Sequence, residues 1–246
     1  MTALSFILPV HNNEDIIEPN VAMLAARLGL PGGRTTDSDI ILVENGSRDA
    51  SWAVSERAAG SRHGIDVVAL REPQAGLGHA YARGIASALD RHGPSTSRWA
   101  VLTATDLPFA FTDLDGALPH MERGARAIAG SKAHPESRAW AGAQRFAMSV
   151  VYRQARRAIL GMKIGDSQGS FFVRLDLLAF TAPRVRSRDF FYTTELAYLI
   201  EREGERFAEV PVVLEAHQLV AANSSVRPLK HATRMLQQLA QLRRGR

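Results

Sequence analysis

Residues 40–49 read Ile-Ile-Leu-Val-Glu-Asn-Gly-Ser-Arg-Asp. Four unbroken apolar residues closed by a polar turn are the pattern of a strand buried on both faces. Ser47 or Asp49 then offers a cap for a helix predicted to run to about Ala59. The same pattern recurs on either side. Leu4 to Val10 is an apolar run that opens on His11-Asn12-Asn13, and Trp99 to Thr103 runs into Thr105-Asp106. Between them stand a helical pattern over Glu14 to Leu28, a strand over Asp66 to Arg71, and a glycine-rich turn and helix over Ala75 to Leu89. This alternation predicts an α/β fold of βαβ units with a mostly parallel central sheet flanked by helices. In such sheets ligands bind outside the carboxyl ends of the strands, which is where the polar clusters fall.

Further along, Gly142 to Leu160 predicts one helix, Phe171 to Arg174 a short strand, Thr194 to Glu203 a helix and Ala208 to Leu214 a strand. Residues 1–226 are expected to form one domain. Residues 227–246 predict a basic amphipathic helix with Leu229, Met235, Leu236, Leu239 and Leu242 as its apolar residues.

Composition narrows the function. The 246 residues are 46 % hydrophobic and 22 % charged, which suits a soluble protein able to bury a sizeable core. The chain has no cysteine, so a disulfide scaffold, a thiolate zinc site and a cysteine nucleophile are excluded. No run approaches the roughly 18 apolar residues of a membrane-spanning helix. Met1 to Ser5 lacks a basic signal-type region, so the cytoplasm is the expected compartment. The net charge is +5, and only Lys132, Lys163 and Lys230 among the basic residues are not arginine. Residues 138–163 and 227–246 each carry six Arg or Lys and no acid, which suits an anionic partner or a membrane surface. No interleaved aromatics are present to stack bases, so no nucleic-acid partner is expected.

The motifs at the strand ends carry a resemblance. Leu8-Pro9-Val10-His11-Asn12-Asn13-Glu14 is similar to the pattern P-x-Y-N-E-E, and Val43 to Asp49 to V-D-D-G-S-x-D. Gly76-Leu77-Gly78-His79-Ala80-Tyr81-Ala82-Arg83-Gly84 resembles G-L-G-x-A-Y-x-x-G. Asp166 to Phe171 is similar to D-T-Q-C-G-F, Tyr192 to Leu196 to F-D-x-E-L, and Glu209-Val210-Pro211-Val212 with Ser224-Ser225-Val226 to E-V-P-V … S-K-V. In order and spacing the chain resembles the inverting glycosyltransferases of family 2, which have the GT-A (nucleotide-diphospho-sugar transferase) Rossmann-like fold. Within them it looks most like the dolichol- and polyprenol-phosphate mannosyl- and glucosyltransferases.

The resemblance implies transfer of a hexose from a nucleotide diphosphate sugar, GDP-mannose or a UDP-hexose, to polyprenyl phosphate. A soluble hydroxyl acceptor and a non-catalytic sugar-nucleotide binder are the alternatives. It assigns Pro9, Asn12, Glu14, Glu44, Asn45, Gly76, Gly78 and Asp106 to the nucleotide sugar. It assigns Lys132, Arg145, Ser149, Gln168 and Glu195 to the acceptor or its phosphate, with Asp106 and Asp166 as the catalytic carboxylates. Arg145, Ser149 and Arg156 stand four and seven residues apart, so one helix face is expected to present all three.

The leaving diphosphate gathers charge that the family meets with a divalent cation, Mg²⁺ or Mn²⁺, held by Asp-x-Asp. Here that motif reads Ala104-Thr105-Asp106, so one carboxylate is missing. Three readings stay open: Asp106 holds the metal with water and the diphosphate filling the other positions, arginines replace the metal, or the chain binds without turnover; His217 is a further candidate for the metal or the diphosphate. The terminal helix likewise has three candidate partners: an anionic membrane, its own domain, or a second copy in a homodimer.

Overall fold

The computed structural model describes residues 2–30, 35, 37–139, 142–214 and 228–245, the side chains of 145 and 228–233 excepted. Seven strands form one sheet: β1 (Ala3–Val10), β2 (Asp39–Glu44), β3 (Asp66–Arg71), β4 (Arg98–Leu102), β5 (Ala127–Gly130), β6 (Ser170–Arg174) and β7 (Ala208–Val210). Their order is β3-β2-β1-β4-β6-β5-β7. The first four are mutually parallel and alternate with α1 (Ile17–Leu28), α2 (Ser51–Gly60) and α3 (Leu77–His92), as the apolar runs predict.

The two faces of each central strand feed two cores. Ile7, Ile41, Val43 and Phe171 face α3, α6 (Leu175–Thr181) and α7 (Tyr192–Arg202). Phe6, Leu8, Ile40, Leu42 and Phe172 face α1, α2 and α4 (Thr112–Glu122). Strands covered on both faces need continuous apolar sequence, which is why Ile40 to Val43 carries no polar residue.

The sheet is mostly parallel, as expected, and β6 is its exception: it runs antiparallel to both β4 and β5. β5 ends at Gly130 on the same rim as the ends of β1, β2 and β4, and Gly130 pairs with Ser170, the first residue of β6. The intervening 39 residues, which carry α5 (Ala143–Leu160), therefore leave and return at that rim, so β6 must run back through the sheet. β7 is also shorter than predicted and stops at Val210. Pro211 has no amide to extend the ladder, and the Val212 amide turns to the Ser137 hydroxyl at 2.9 Å. The terminal helix α8 (Pro228–Arg244) packs against α5. Its Leu239 is fully buried and Leu242 packs on the core that holds α7, whereas Leu236 stays 38 % exposed, so α8 lays part of its apolar face on the domain.

Candidate active site

The loops singled out after β1, β2 and β4, and the Asp166 to Gly169 turn ahead of β6, emerge at one rim, where β1, β2 and β4 end and β6 begins. The loops after β1 and β2 are sewn together. The Asn12 amide donates to the Ser47 hydroxyl at 3.1 Å, and the Asn12 carboxamide oxygen accepts from the Arg48 amide at 2.9 Å. The Asn13 amide donates to Ser51, the Glu14 amide to Asp49, and the Glu14 carboxylate accepts from the Ala50 amide at 2.7 Å. Asp49 also accepts from the Ser51 amide ahead of α2, but the cap position itself is Ala50, which has no side-chain capping bond, so neither Ser47 nor Asp49 caps the helix as expected.

Asn12 and Glu14 stay exposed, whereas Glu44 and Asn45 are buried. The Glu44 carboxylate turns inward, accepting from the Ser47 amide at 2.6 Å and pairing with Arg71 at 3.3 Å. Asn45 is an anchor. Its side-chain amide donates to the Gln74 carbonyl and its oxygen accepts from the Gly76 amide at 2.7 Å. The β2 loop thereby fixes the glycine-rich turn ahead of α3. That turn is glycine-rich because another backbone lies on it: a Cβ at Gly76 would meet the Arg188 carbonyl oxygen at 2.3 Å, and one at Gly78 would meet the Arg188 backbone at 2.7 Å.

After β4 the chain is tied down from two sides. The Thr105 hydroxyl donates to the Pro9 carbonyl at 2.6 Å, and the Asn20 side-chain amide donates to the Thr105 carbonyl at 2.9 Å. Asp106 follows. Leu107, Ala110 and Phe111 then all take positive φ, of 46°, 45° and 65°. Three left-handed non-glycine residues in five positions hold strain that a rigid surround must maintain. Beside this loop opens a cleft of about 400 Å³, lined by Tyr81, Ala104, Pro108, Phe109, Lys132 and Ser170 among others. Burial and the charge of Asp106 push the Tyr81 hydroxyl far up, so it remains a proton donor throughout the neutral range.

The sequence matches the family described as "Glycosyl transferase family 2" over residues 5–178, well over half of the chain. The chain belongs to glycosyl transferase family 2. It is a glycosyltransferase, and its α/β fold with a mostly parallel, helix-flanked sheet matches GT-A structures. No curated protein matches it in sequence. Glucosyl-3-phosphoglycerate synthase from Mycobacterium tuberculosis in complex with UDP is 19 % identical, with a TM-score of 0.60 over 98 % of this chain and 79 % of that one. The same enzyme with Mn²⁺, UDP-glucose and phosphoglyceric acid gives 0.61 at 19 % identity over 99 % and 80 %. The mannosyltransferase PcManGT from Pyrobaculum calidifontis with GDP-mannose and Mn²⁺ gives 0.52 at 17 % identity over 98 % and 73 %.

On the far side of this family 2 cleft, Lys132 is wedged in place. Its ammonium pairs with Asp166 at 2.8 Å, donates to the Gln168 carbonyl at 3.0 Å and lies 5.6 Å from the centre of the Phe109 ring. The Asp166 carboxylate also accepts from the Lys132 and Gln168 amides at 3.1 and 2.9 Å. Burial pushes the Asp166 carboxyl up, but the Lys132 charge and these donors outweigh it and hold it below the usual carboxylate range. Glu195 is buried with its oxygens on the amides of Arg186 and Ser187, so it shapes a loop and does not face the cleft as an anion.

On α5, Ser149 and Arg156 do not present a shared exposed face as expected. Ser149 is exposed, while Arg156 is buried and donates to the carbonyls of Ile164 and Gly165 at 3.2 and 2.9 Å. A guanidinium on an apolar stem can close a loop from inside, which spacing alone does not reveal. Arg145 falls in the first turn of α5. Its side chain, His217 and Ser224 to Val226 lie outside the described residues. Sequence reasoning missed Phe109 and the Arg188 backbone, and gave Tyr81 no role, although Tyr81 stands inside the quoted glycine motif.

The Asp106 carboxylate is a hard oxygen donor of the kind that Mg²⁺ and Mn²⁺ prefer. Among the described residues no three His, Asp or Glu side chains gather as a ready cation site. The protein therefore fits a cation held by one carboxylate, with a ligand's phosphate oxygens and water completing it.

Proposed function

We propose that this glycosyltransferase moves a hexose, with inversion, from a nucleotide diphosphate sugar to a small water-soluble acceptor that carries an anionic group. The observation behind this is the position of Asp106. It follows the anchored Thr105, between two residues that line the cleft, at the carboxyl rim of the sheet. The diphosphate lies there, the nucleoside runs toward Asn12 and Glu14, and the hexose fills the cleft. Asp106 would hold Mg²⁺ or Mn²⁺, which when bound offsets the charge that builds on the leaving diphosphate. Tyr81 adds a neutral donor beside it.

Lys132 addresses the acceptor's anionic group. Asp166 positions Lys132, since a carboxylate already paired and accepting two backbone hydrogen bonds is a poor proton acceptor. Two observations favour a small soluble acceptor over polyprenyl phosphate. The cleft is about 400 Å³, enough for a sugar and a small acid. Leu239 and Leu242 of α8, the segment best suited to a membrane surface, are turned onto the domain. Phosphoglyceric acid in one of the similar structures is an acceptor-sized ligand of this chemistry.

The test is a transfer assay with UDP-glucose and GDP-mannose, each with Mn²⁺, against phosphoglycerate and polyprenyl phosphate. Transfer to a soluble phosphorylated or carboxylated alcohol is expected, with a product anomer opposite to the donor's. Transfer to polyprenyl phosphate alone would overturn the acceptor assignment.

A further inference from the structure

A second cleft, of about 600 Å³, opens between α7, the 182–187 turn and α8. It shares no lining residue with the cleft beside Asp106. We propose that it is a separate binding site for a small phosphate ester.

Three guanidinium groups line it: Arg184, Arg186 and Arg202. They are not equivalent. Arg184 pairs with Glu203 and lies 5.1 Å from the centre of the Phe180 ring, which fixes its position. Arg186 and Arg202 are exposed, and among the described residues neither guanidinium has an ion-pair partner. Glu195 is the acid in the lining, and its oxygens already accept from the Arg186 and Ser187 amides. The wall is therefore cationic, with two planar forks that have no ion-pair partner among the described residues and can grip oxygens in pairs, the geometry that arginine offers to phosphate.

The rest of the lining gives the ligand a body. Phe191, Leu199 and Leu242 supply an apolar floor, and Gln241 adds an amide from α8. The volume exceeds that of a bare phosphate ion and falls in the range of small-molecule pockets. The two clefts also share a wall. The turn that carries Arg186 and Ser187 continues into Arg188, whose carbonyl accepts from the Gly78 amide at 3.1 Å at the start of α3. A ligand on one side of this turn bears on the glycine-rich loop on the other.

The experiment uses the full chain with UDP and Mn²⁺ at saturation, so that the nucleotide side of the first cleft is filled; any binding on its acceptor side at Lys132 is common to all three proteins and cancels in their comparison. Glycerol 3-phosphate is titrated calorimetrically into the wild type, into the double variant Arg186→Gln/Arg202→Gln, and into a control, Arg62→Gln/Arg206→Gln, that loses the same charge at exposed arginines elsewhere. Saturable binding by wild type and control is expected, with at least a tenfold weaker Kd for the double variant. Vesicles of phosphatidic acid in neutral lipid form a second arm. Sedimentation that needs both arginines would assign the site to a lipid headgroup, and saturable ester binding without it to a free phosphate ester. If the double variant and the control behave alike toward both probes, the site does not exist. That result leaves the assignment of the Asp106 cleft untouched.

Discussion

The amide of Gly78 donates to the carbonyl of Arg188 at 3.1 Å, joining the first turn of α3 to the loop before α7 across 110 residues of sequence. A methyl group at residue 78 would come within 2.7 Å of the Arg188 backbone and 2.9 Å of the Tyr192 Cβ, neither of which is a flexible chain end. Gly78→Ala is therefore predicted to cost about 1–3 kcal/mol of stability. It should also raise the KM for the nucleotide sugar more than it lowers kcat, because the displaced turn shapes the donor side. Denaturant melts and steady-state kinetics on the variant check both parts.

Asp106 and Ala104 allow opposite experiments at one loop. Asp106→Ala should lower kcat by about 10²–10³-fold, the usual scale for losing one group that meets developing charge. Ala104 is exposed and lines the cleft. Ala104→Asp places a second carboxylate two residues away and should lower the Mn²⁺ concentration for half-maximal activity by about tenfold, since charge count tunes cation affinity. An Asp106→Ala variant with near-normal turnover would remove the diphosphate from this loop.

Two buried carboxylates carry opposite pH signatures. Asp166 is held below its ordinary value of 3.8, so its contribution to stability is present above that value and is lost as pH falls through the lower folded-state value. Asp166→Asn should cost about 2 kcal/mol at pH 7, and the difference should shrink only in strong acid. Asp113 is 7 % exposed, and burial raises it even though its carboxylate accepts from the Leu114 amide at 2.9 Å. Its contribution is fully present below 3.8 and is lost as pH rises through the raised folded-state value. Asp113→Asn should therefore match or exceed the wild type at pH 7 and lose that advantage at pH 3. Thermal melts across pH 3–8 would show both trends.

Leu239 tests where α8 belongs. It is fully buried against the domain. Leu239→Ala should cost about 2–4 kcal/mol, the range for emptying a buried leucine. A melt within about 0.5 kcal/mol of the wild type would mean that the helix leaves the domain in solution.

The strands β1 to β4 were legible because each is an apolar run closed by a polar turn, and helices α1 to α3 because their periodicity is regular. The elements that escaped lack such signals. β5 is only Ala127 to Gly130, three small or apolar residues and a glycine. α4 carries Gly116 and Pro119, which mask its helical pattern, and α6 is seven residues long. The direction of β6 is set by an excursion that never crosses the sheet, which no local pattern encodes. At the site, spacing located the loops but not the job of each side chain. Glu44, Asn45 and Glu195 fall where the motifs put them, yet their oxygens go to backbone amides. Which polar atoms a fold spends on itself depends on neighbours distant in sequence, such as Arg188 for the glycine turn and Gly165 for Arg156.

The central claim is that a nucleotide diphosphate lies between Asn12, Glu14 and Asp106. A crystal structure of the protein with UDP or GDP and Mn²⁺ tests it most directly. The account predicts the diphosphate beside the Asp106 carboxylate, with the base toward the sewn loops after β1 and β2. Density for the nucleotide at another surface, with the Asp106 cleft filled only by solvent, would contradict it.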